Sequence, residues 1–250
     1  MRPLVTLLTD FGTADGYVGE MKGVLLSRAP DAQLVDITHE IPPQDVEAGR
    51  LALARVWRRF PAGVVHLVVV DPGVGSARAA LAVASDDRLL VGPDNGVLSP
   101  ALLLSGARAV EIPVPGGVSA TFHGRDVFAP TAAALAMGAS LDSLGPAARA
   151  PVVRRTAEPR RTDEGTLEGE VITIDRFGNA VTNLFGWRGG SVRLHDTVLP
   201  LRRTYADVEP GEPVALAGSS GFIEIAIRDG SAARELAIQR GTQVRFTPRA

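Results

Sequence analysis

The sequence predicts an α/β N-terminal domain with a mostly parallel sheet, followed by an all-β, barrel-like C-terminal domain. Three observations carry this. Apolar runs alternate with helical periodicity through the first 150 residues, the pattern of a layered α/β unit. Residues 64–70 are almost continuous valine and leucine, as in a parallel strand covered on both faces. Beyond residue 165 helical periodicity gives way to short apolar runs separated by turn residues, as in a sandwich or barrel.

In chain order, residues 4–8 form a strand that ends in Thr9-Asp10-Phe11-Gly12. Residues 16–28 place Val18, Met21, Val24 and Leu25 on one helical face. A strand over 34–37 precedes a helix over 46–60 that offers Leu51, Leu53, Ala54 and Trp57 for burial. Strands follow at 64–70, 80–84 and 89–91, then an alanine-rich helix at 126–137. Residues 151–165 mix Arg154, Arg155, Arg160 and Arg161 with proline and threonine and read as a linker between domains 1–150 and 166–250. Strands at 167–174, 191–194, 198–201, 214–216, 222–227 and 243–246 complete a small antiparallel β domain.

Composition narrows the function classes. Hydrophobic residues are 45% and charged residues 22% of the 250, ordinary for a globular protein. With 26 basic and 28 acidic residues, net charge −2, the chain lacks the overall footprint of a nucleic-acid binder. It has no cysteine, hence no disulfide, thiolate nucleophile or thiolate metal ligand. Apolar runs are far too short to span a membrane. The short apolar start, turning polar at Thr9-Asp10, does not read as a secretory signal. A cytoplasmic protein that binds neither nucleic acid nor membrane is the expectation.

Asp10, Asp36 and Asp71 fall at or just past strand ends, the edge where open α/β sheets bind ligands. Such residues also cap helices and order loops. In Asp71-Pro72-Gly73-Val74-Gly75-Ser76-Ala77-Arg78 the glycines permit close backbone approach to a ligand. No Gly-Lys-Ser/Thr follows, so it is not a phosphate loop; a tight turn with an ordinary Asp–Arg pair fits the same residues. Phe122-His123-Gly124-Arg125-Asp126 sets an imidazole, suited to proton chemistry, at a helix start. His39, His66 and His195 have weaker contexts, and His66 reads as a packing residue. Asp175-Arg176-Phe177-Gly178-Asn179 reads as a ligand loop or a locally bonded turn. Glu224, in the apolar strand after Gly218-Ser219-Ser220-Gly221, faces solvent or a ligand.

Taken together and in order, six motifs resemble one family. They are Asp10-Phe11-Gly12 with Asp15-Gly16-Tyr17, the Asp71 loop with Arg78, Gly92-Pro93-Asp94-Asn95-Gly96, Phe122-His123-Gly124-Arg125-Asp126, Asp175-Arg176-Phe177-Gly178-Asn179, and Ser219-Ser220-Gly221 with Glu224. The set resembles the S-adenosyl-L-methionine hydroxide adenosyltransferases, relatives of the bacterial fluorinase and chlorinase, over essentially the whole chain. The resemblance implies hydrolysis of S-adenosylmethionine to adenosine and methionine, without metal or other cofactor. It also implies a homotrimer with the active site between subunits. Asp71, Arg78 and His123 match the family's catalytic set, Asp10 its ribose-binding acid and Asp15 the acid beside it. Asp175, Phe177, Asn179, Ser219 and Glu224 match its C-terminal ligand residues, and the adenine edge is expected at backbone near Ala226 and Ile227. The second basic residue often found after the family's arginine is absent from Ser76-Ala77-Arg78-Ala79.

The chemistry agrees with that resemblance. A sulfonium leaves its carbon as a neutral thioether, so the reaction needs an in-line water that is oriented and relieved of a proton. Asp71 and His123 are the candidate acceptors, with Arg78 beside them. A carboxylate at position 71 repels halide, whereas the resemblance places a tyrosine there in the fluorinase. Three competitors remain at this stage: a halogenase, a metal-dependent phosphoesterase built on Asp10, Asp36, Asp71 and His123, and a nucleoside-binding module without turnover.

Overall fold

In a computed structural model the chain divides into two compact units, Met1–Arg155 and Thr156–Ala250. Residues 2–163, 165–185 and 189–249 are described; Glu164, within the stretch expected as a linker, lies outside them. No described helix is long and apolar enough to cross a membrane.

The first unit holds strands β1 (Leu4–Thr9), β2 (Gln33–Thr38), β3 (Val65–Val69), β4 (Ala80–Ser85), β5 (Arg88–Pro93) and β6 (Arg108–Ile112). Its helices are α1 (Tyr17–Arg28), α2 (Val46–Val56), α3 (Ser99–Leu102) and α4 (Ala129–Ala136). The six strands form one sheet in the order β2-β1-β3-β5-β4-β6. β3 alternates between two cores, as a doubly covered strand must. Val65, Leu67 and Val69 pack with Met21 and Leu25 of α1 and Ala132 of α4, while Val68 and Val70 pack with Leu53 of α2 and Trp57. The Asp45 carboxylate caps α2 by accepting from Ala48 N at 2.9 Å.

The sheet is mixed, which corrects the expected mostly parallel arrangement. Pairings β1–β2, β1–β3 and β3–β5 are parallel, but β4 runs antiparallel to both β5 and β6. The cause is local. Ser85 pairs with Arg88 across a two-residue turn, Asp86-Asp87, whose φ angles are 49° and 56°. Two consecutive positive φ values make the tight hairpin turn that matches strand twist, and a hairpin returns antiparallel. Part of the stretch expected as a linker is bound to this unit: Val152 N donates to Asp94 Oδ1 at 2.7 Å and Arg154 N to Ser99 Oγ at 2.8 Å.

The second unit is a closed barrel. Its strands are β7 (Arg160–Arg161), β8 (Leu167–Ile174), β9 (Ala180–Phe185), β10 (Gly190–Leu194), β11 (Thr197–Arg202), β12 (Pro213–Ala217), β13 (Phe222–Ile227) and β14 (Gln243–Pro248), with a short helix α5 (Ala232–Glu235). The order β14-β10-β11-β12-β13-β9-β8 closes through a β14–β8 pairing, and β7 attaches to β8. Seven strands cannot alternate direction around a closed ring, so one neighbouring pair must be parallel. It is β11–β12, with Leu201 opposite Ala215; the expectation of a purely antiparallel domain fails at this seam. Val171, Leu184, Val192, Ile223, Ile225, Val244 and Phe246 fill the interior.

His66 sits at the centre of the first sheet, fully buried, with Thr6 Oγ1 at 2.6 Å and Trp57 O at 3.1 Å from its ring nitrogens. Burial, with help from the charge of Arg88, pushes its pKa down to about 4. The unfolded chain therefore takes up a proton between about pH 6.5 and 4 that the folded chain refuses, and stability falls as pH falls through that window. Urea unfolding at pH 7.5 and 4.5 should show the native protein losing about 2.5 kcal/mol more than the His66→Gln variant. Equal losses would contradict this.

Candidate active site

At the C-terminal edge of the first sheet, Asp71 follows β3 and Arg78 precedes β4. Arg78 Nε donates to Asp71 Oδ1 at 3.0 Å and Oδ2 at 3.1 Å, and its Nη2 donates to Asp71 Oδ2 as well. The same Nη2 lies 2.9 Å from His123 Nδ1. Only 9% of the Arg78 and 5% of the Asp71 side chain is exposed, and the guanidinium stacks over Phe128 at 5.2 Å. A guanidinium has no acceptor atom, so His123 Nδ1 must accept, and the imidazole is neutral with its proton on Nε2. Burial and then the Arg78 charge lower the His123 pKa, against the opposing carboxylates of Asp71 and Asp126.

Local sequence builds this cluster. Gly75 has φ +76°, and a Cβ there would lie 2.4 Å from Ala120 O. Only glycine lets the 71–78 loop close onto the segment leading to His123. From His123 the chain enters a wide π turn over Gly124–Phe128 before α4. Such turns often mark functional sites; the sequence pattern reads them as plain helix.

Asp10, just past β1, accepts Gln44 N at Oδ2, 2.7 Å. Burial pushes its pKa up, the Gln44 amide opposes this, and the charge of Asp71 adds to the rise. The Asp10 and His123 motifs meet through their aromatic residues: Phe11 and Tyr17 pack against Phe122 at 5.9 and 5.3 Å between ring centres. Asp15 is exposed in the bend before α1. Asp36 pairs instead with Lys22 at 2.6 Å and His39 Nε2 at 3.1 Å. Among the described residues no three His, Asp or Glu side chains are grouped to hold a metal. His39, passed over as a weak context, organises the Asp10 loop: its Nδ1 meets Thr9 Oγ1 at 2.8 Å, Thr9 Oγ1 accepts Phe11 N, and His39 O accepts Gly12 N.

The second unit carries the remaining candidates. Asp175 Oδ1 accepts both Phe177 N and Asn179 N at 2.9 Å, and its Oδ2 accepts Asn179 Nδ2 at 3.0 Å. This locally bonded loop leaves Phe177 78% exposed. Ser219 is exposed in the turn before β13. Glu224 lies on the outer face of β13 yet is only 5% exposed. Gly218 makes room for it, since a Cβ there would sit 1.8 Å from Glu224 Oε1, and Tyr205 OH donates to Oε2 at 3.0 Å. Burial first, then the Glu224 charge, push the Tyr205 pKa up to about 12. Tyr205 was not singled out in the sequence; its partner lies 19 residues away. The Ile227 side chain belongs to the barrel interior, which leaves only its backbone for a ligand.

Comparison with known proteins now decides the family. The descriptions SAM hydroxide adenosyltransferase N-terminal domain and C-terminal domain match residues 5–145 and 169–245. The chain belongs to the SAM hydroxide adenosyltransferase family. It is 45% identical to the (R)-S-adenosyl-L-methionine hydrolase of Thermus thermophilus, across 98% of this chain and 100% of that protein. It is 28% identical to the fluorinase of Actinopolyspora mzabensis, across 98% and 97%. An uncharacterized conserved protein from Thermotoga maritima superposes with a TM-score of 0.87 at 34% identity, across 97% of this chain and 99% of that one. This SAM hydroxide adenosyltransferase thus holds Asp71, Arg78 and His123 in one buried, hydrogen-bonded cluster.

Two measurements follow. In an NMR titration the His123 imidazole should titrate below 6.5. Arg78→Met should move it above the native value, because the remaining carboxylates favour imidazolium; no upward movement would disprove the arrangement. Separately, Tyr205→Phe should cost about 1–3 kcal/mol in urea unfolding by stranding a buried carboxylate. The Tyr205→Phe/Glu224→Gln double variant should recover part of that loss.

Proposed function

We propose that this chain hydrolyses (R)-S-adenosyl-L-methionine to adenosine and L-methionine. The observation that carries the reading is a buried Asp–Arg–His cluster at the sheet edge of a chain 45% identical, end to end, to a protein named for that reaction.

In this mechanism a water attacks the ribose 5′ carbon opposite the sulfonium. The new C–O bond forms as the C–S bond breaks, and its electron pair leaves on sulfur as the neutral thioether of methionine. The water's proton passes to Asp71 and then to solvent. Asp71 is preferred over His123 because His123 Nδ1 already accepts from Arg78, so its other nitrogen carries the proton. His123 and Arg78 hold the carboxylate in place and steady the developing hydroxide. Asp10 accepts from the ribose hydroxyls, with Asp15 near the amino-acid end. Asp175, Phe177, Asn179, Ser219 and Glu224 bind the methionine and nucleoside parts, and backbone at Ile227 meets the adenine edge. No metal or other cofactor takes part, because a sulfonium departs without a Lewis acid. The reading extends to domains 1–150 and 166–250 joined by 151–165, and to a cytoplasmic homotrimer whose subunit interfaces complete each site.

One incubation tests this. Purified protein is given the (R) and (S) sulfonium epimers with chelator present, while fluoride and chloride are varied. Adenosine and methionine, formed from the (R) epimer independently of halide and chelator, are expected; a halogenated nucleoside would overturn the hydrolase reading. Asp71→Asn should lower kcat by about 10²–10⁴-fold, whereas Asp10→Ala should act mainly on KM. Full turnover by Asp71→Asn would refute its proton role.

A further inference from the structure

The motif Gly92-Pro93-Asp94-Asn95-Gly96 contributes no group to the mechanism above, yet it occupies a telling place. β5 lies between β3 and β4 in the sheet. The loop carrying Asp71 and Arg78 leaves β3 and enters β4, so it spans the end of β5, where this motif begins. Two consecutive residues of the motif tie both ends of that loop. Asn95 Nδ2 donates to Val70 O, the carbonyl just before Asp71, at 2.8 Å. Asp94 N donates to Ala79 O, the carbonyl just after Arg78, at 2.9 Å.

We propose that Asn95 is a positioning residue that holds Asp71, through Val70, in register with Arg78. The proposal rests on the reading of Asp71 as the group that orients the attacking water. The carboxamide is held from both sides: Nδ2 donates to Val70 O and Oδ1 accepts Val97 N at 3.1 Å, while the Asn95 backbone oxygen accepts Arg154 Nε at 2.9 Å. Its orientation is thereby fixed, amide nitrogen toward Val70. Val70 is fully buried, so its carbonyl has no solvent to replace a lost donor, and such a loss is relieved only by backbone movement. That movement would be passed to the next residue, Asp71. An aspartate at 95 has no N–H to donate and a leucine has neither group, so the residue type is specific to the task.

The test is a double-mutant cycle on the full-length protein with (R)-S-adenosyl-L-methionine, reading kcat and KM separately and folding by circular dichroism melting. Asn95→Leu should lower kcat on the order of a hundredfold, the scale of a small misplacement of a reacting group, with KM within about threefold of native. Asp71→Asn/Asn95→Leu should turn over no more slowly than Asp71→Asn alone, because Asn95 acts through Asp71. A native kcat in Asn95→Leu, or a double variant slowed by the product of both factors, overturns the proposal. Asn95→Gln, which keeps the amide one methylene too long, should lose less than leucine and serves if Asn95→Leu does not fold. Undiminished turnover by Asp71→Asn would instead defeat the reading of Asp71, and the positioning role would fall with it.

Discussion

The Arg78 guanidinium, held between the Asp71 carboxylate and His123 Nδ1, is the interaction the first unit is organised around. Burying a cation is expensive, and a single ion pair does not always repay it. Here the cost is spread over a forked pair of bonds to one carboxylate, a bond to a neutral imidazole and the face of Phe128. Each partner constrains another. The guanidinium dictates the imidazole's tautomer, and the carboxylate is fixed by the fork. A cluster so mutually constrained is a preorganised one, the kind that avoids reorganising during reaction.

That cluster explains why the sheet is mixed. Were β4 parallel to β3, the connection would need a crossover of a dozen or more residues, returning the chain at the opposite edge. β4 instead starts at the edge where β3 stops, so the loop 70–79 carries both partners. Its antiparallel course is secured by the Asp86-Asp87 hairpin to β5. The departure from a regular parallel sheet and the Asp71–Arg78 pair are thus one design.

Much of this was legible in the sequence. The continuous valine and leucine of β3 announced a doubly covered strand, and the ordered motifs pointed to the family. What escaped shares a physical cause. Asp86-Asp87 lacks the glycine that usually signals a tight hairpin, so the turn is visible only from its backbone angles. The parallel β11–β12 seam follows from ring closure with an odd strand count, which no local pattern encodes. The roles of His39, Tyr205 and Asn95, the last within a motif already noted, run across 19 to 30 residues to an oxygen, either a side chain's or a backbone carbonyl. Polar residues that serve another residue's atoms carry no periodicity and look like any other loop or turn residue.

The electrostatics of the two units bear on the choice between hydroxide and halide. In the first, Asp71 is balanced by Arg78, while Asp10 is partly buried and accepts from neutral backbone amides. In the second, Glu224 is buried with a phenol as its hydrogen-bond donor. Buried carboxylates met only by neutral donors are costly unless a ligand brings positive charge. S-adenosylmethionine brings two, a sulfonium and an ammonium. A small anion such as fluoride gains nothing from such carboxylates. Under the proposed reading, the carboxylates in each unit that suit a cationic substrate also suit a neutral nucleophile.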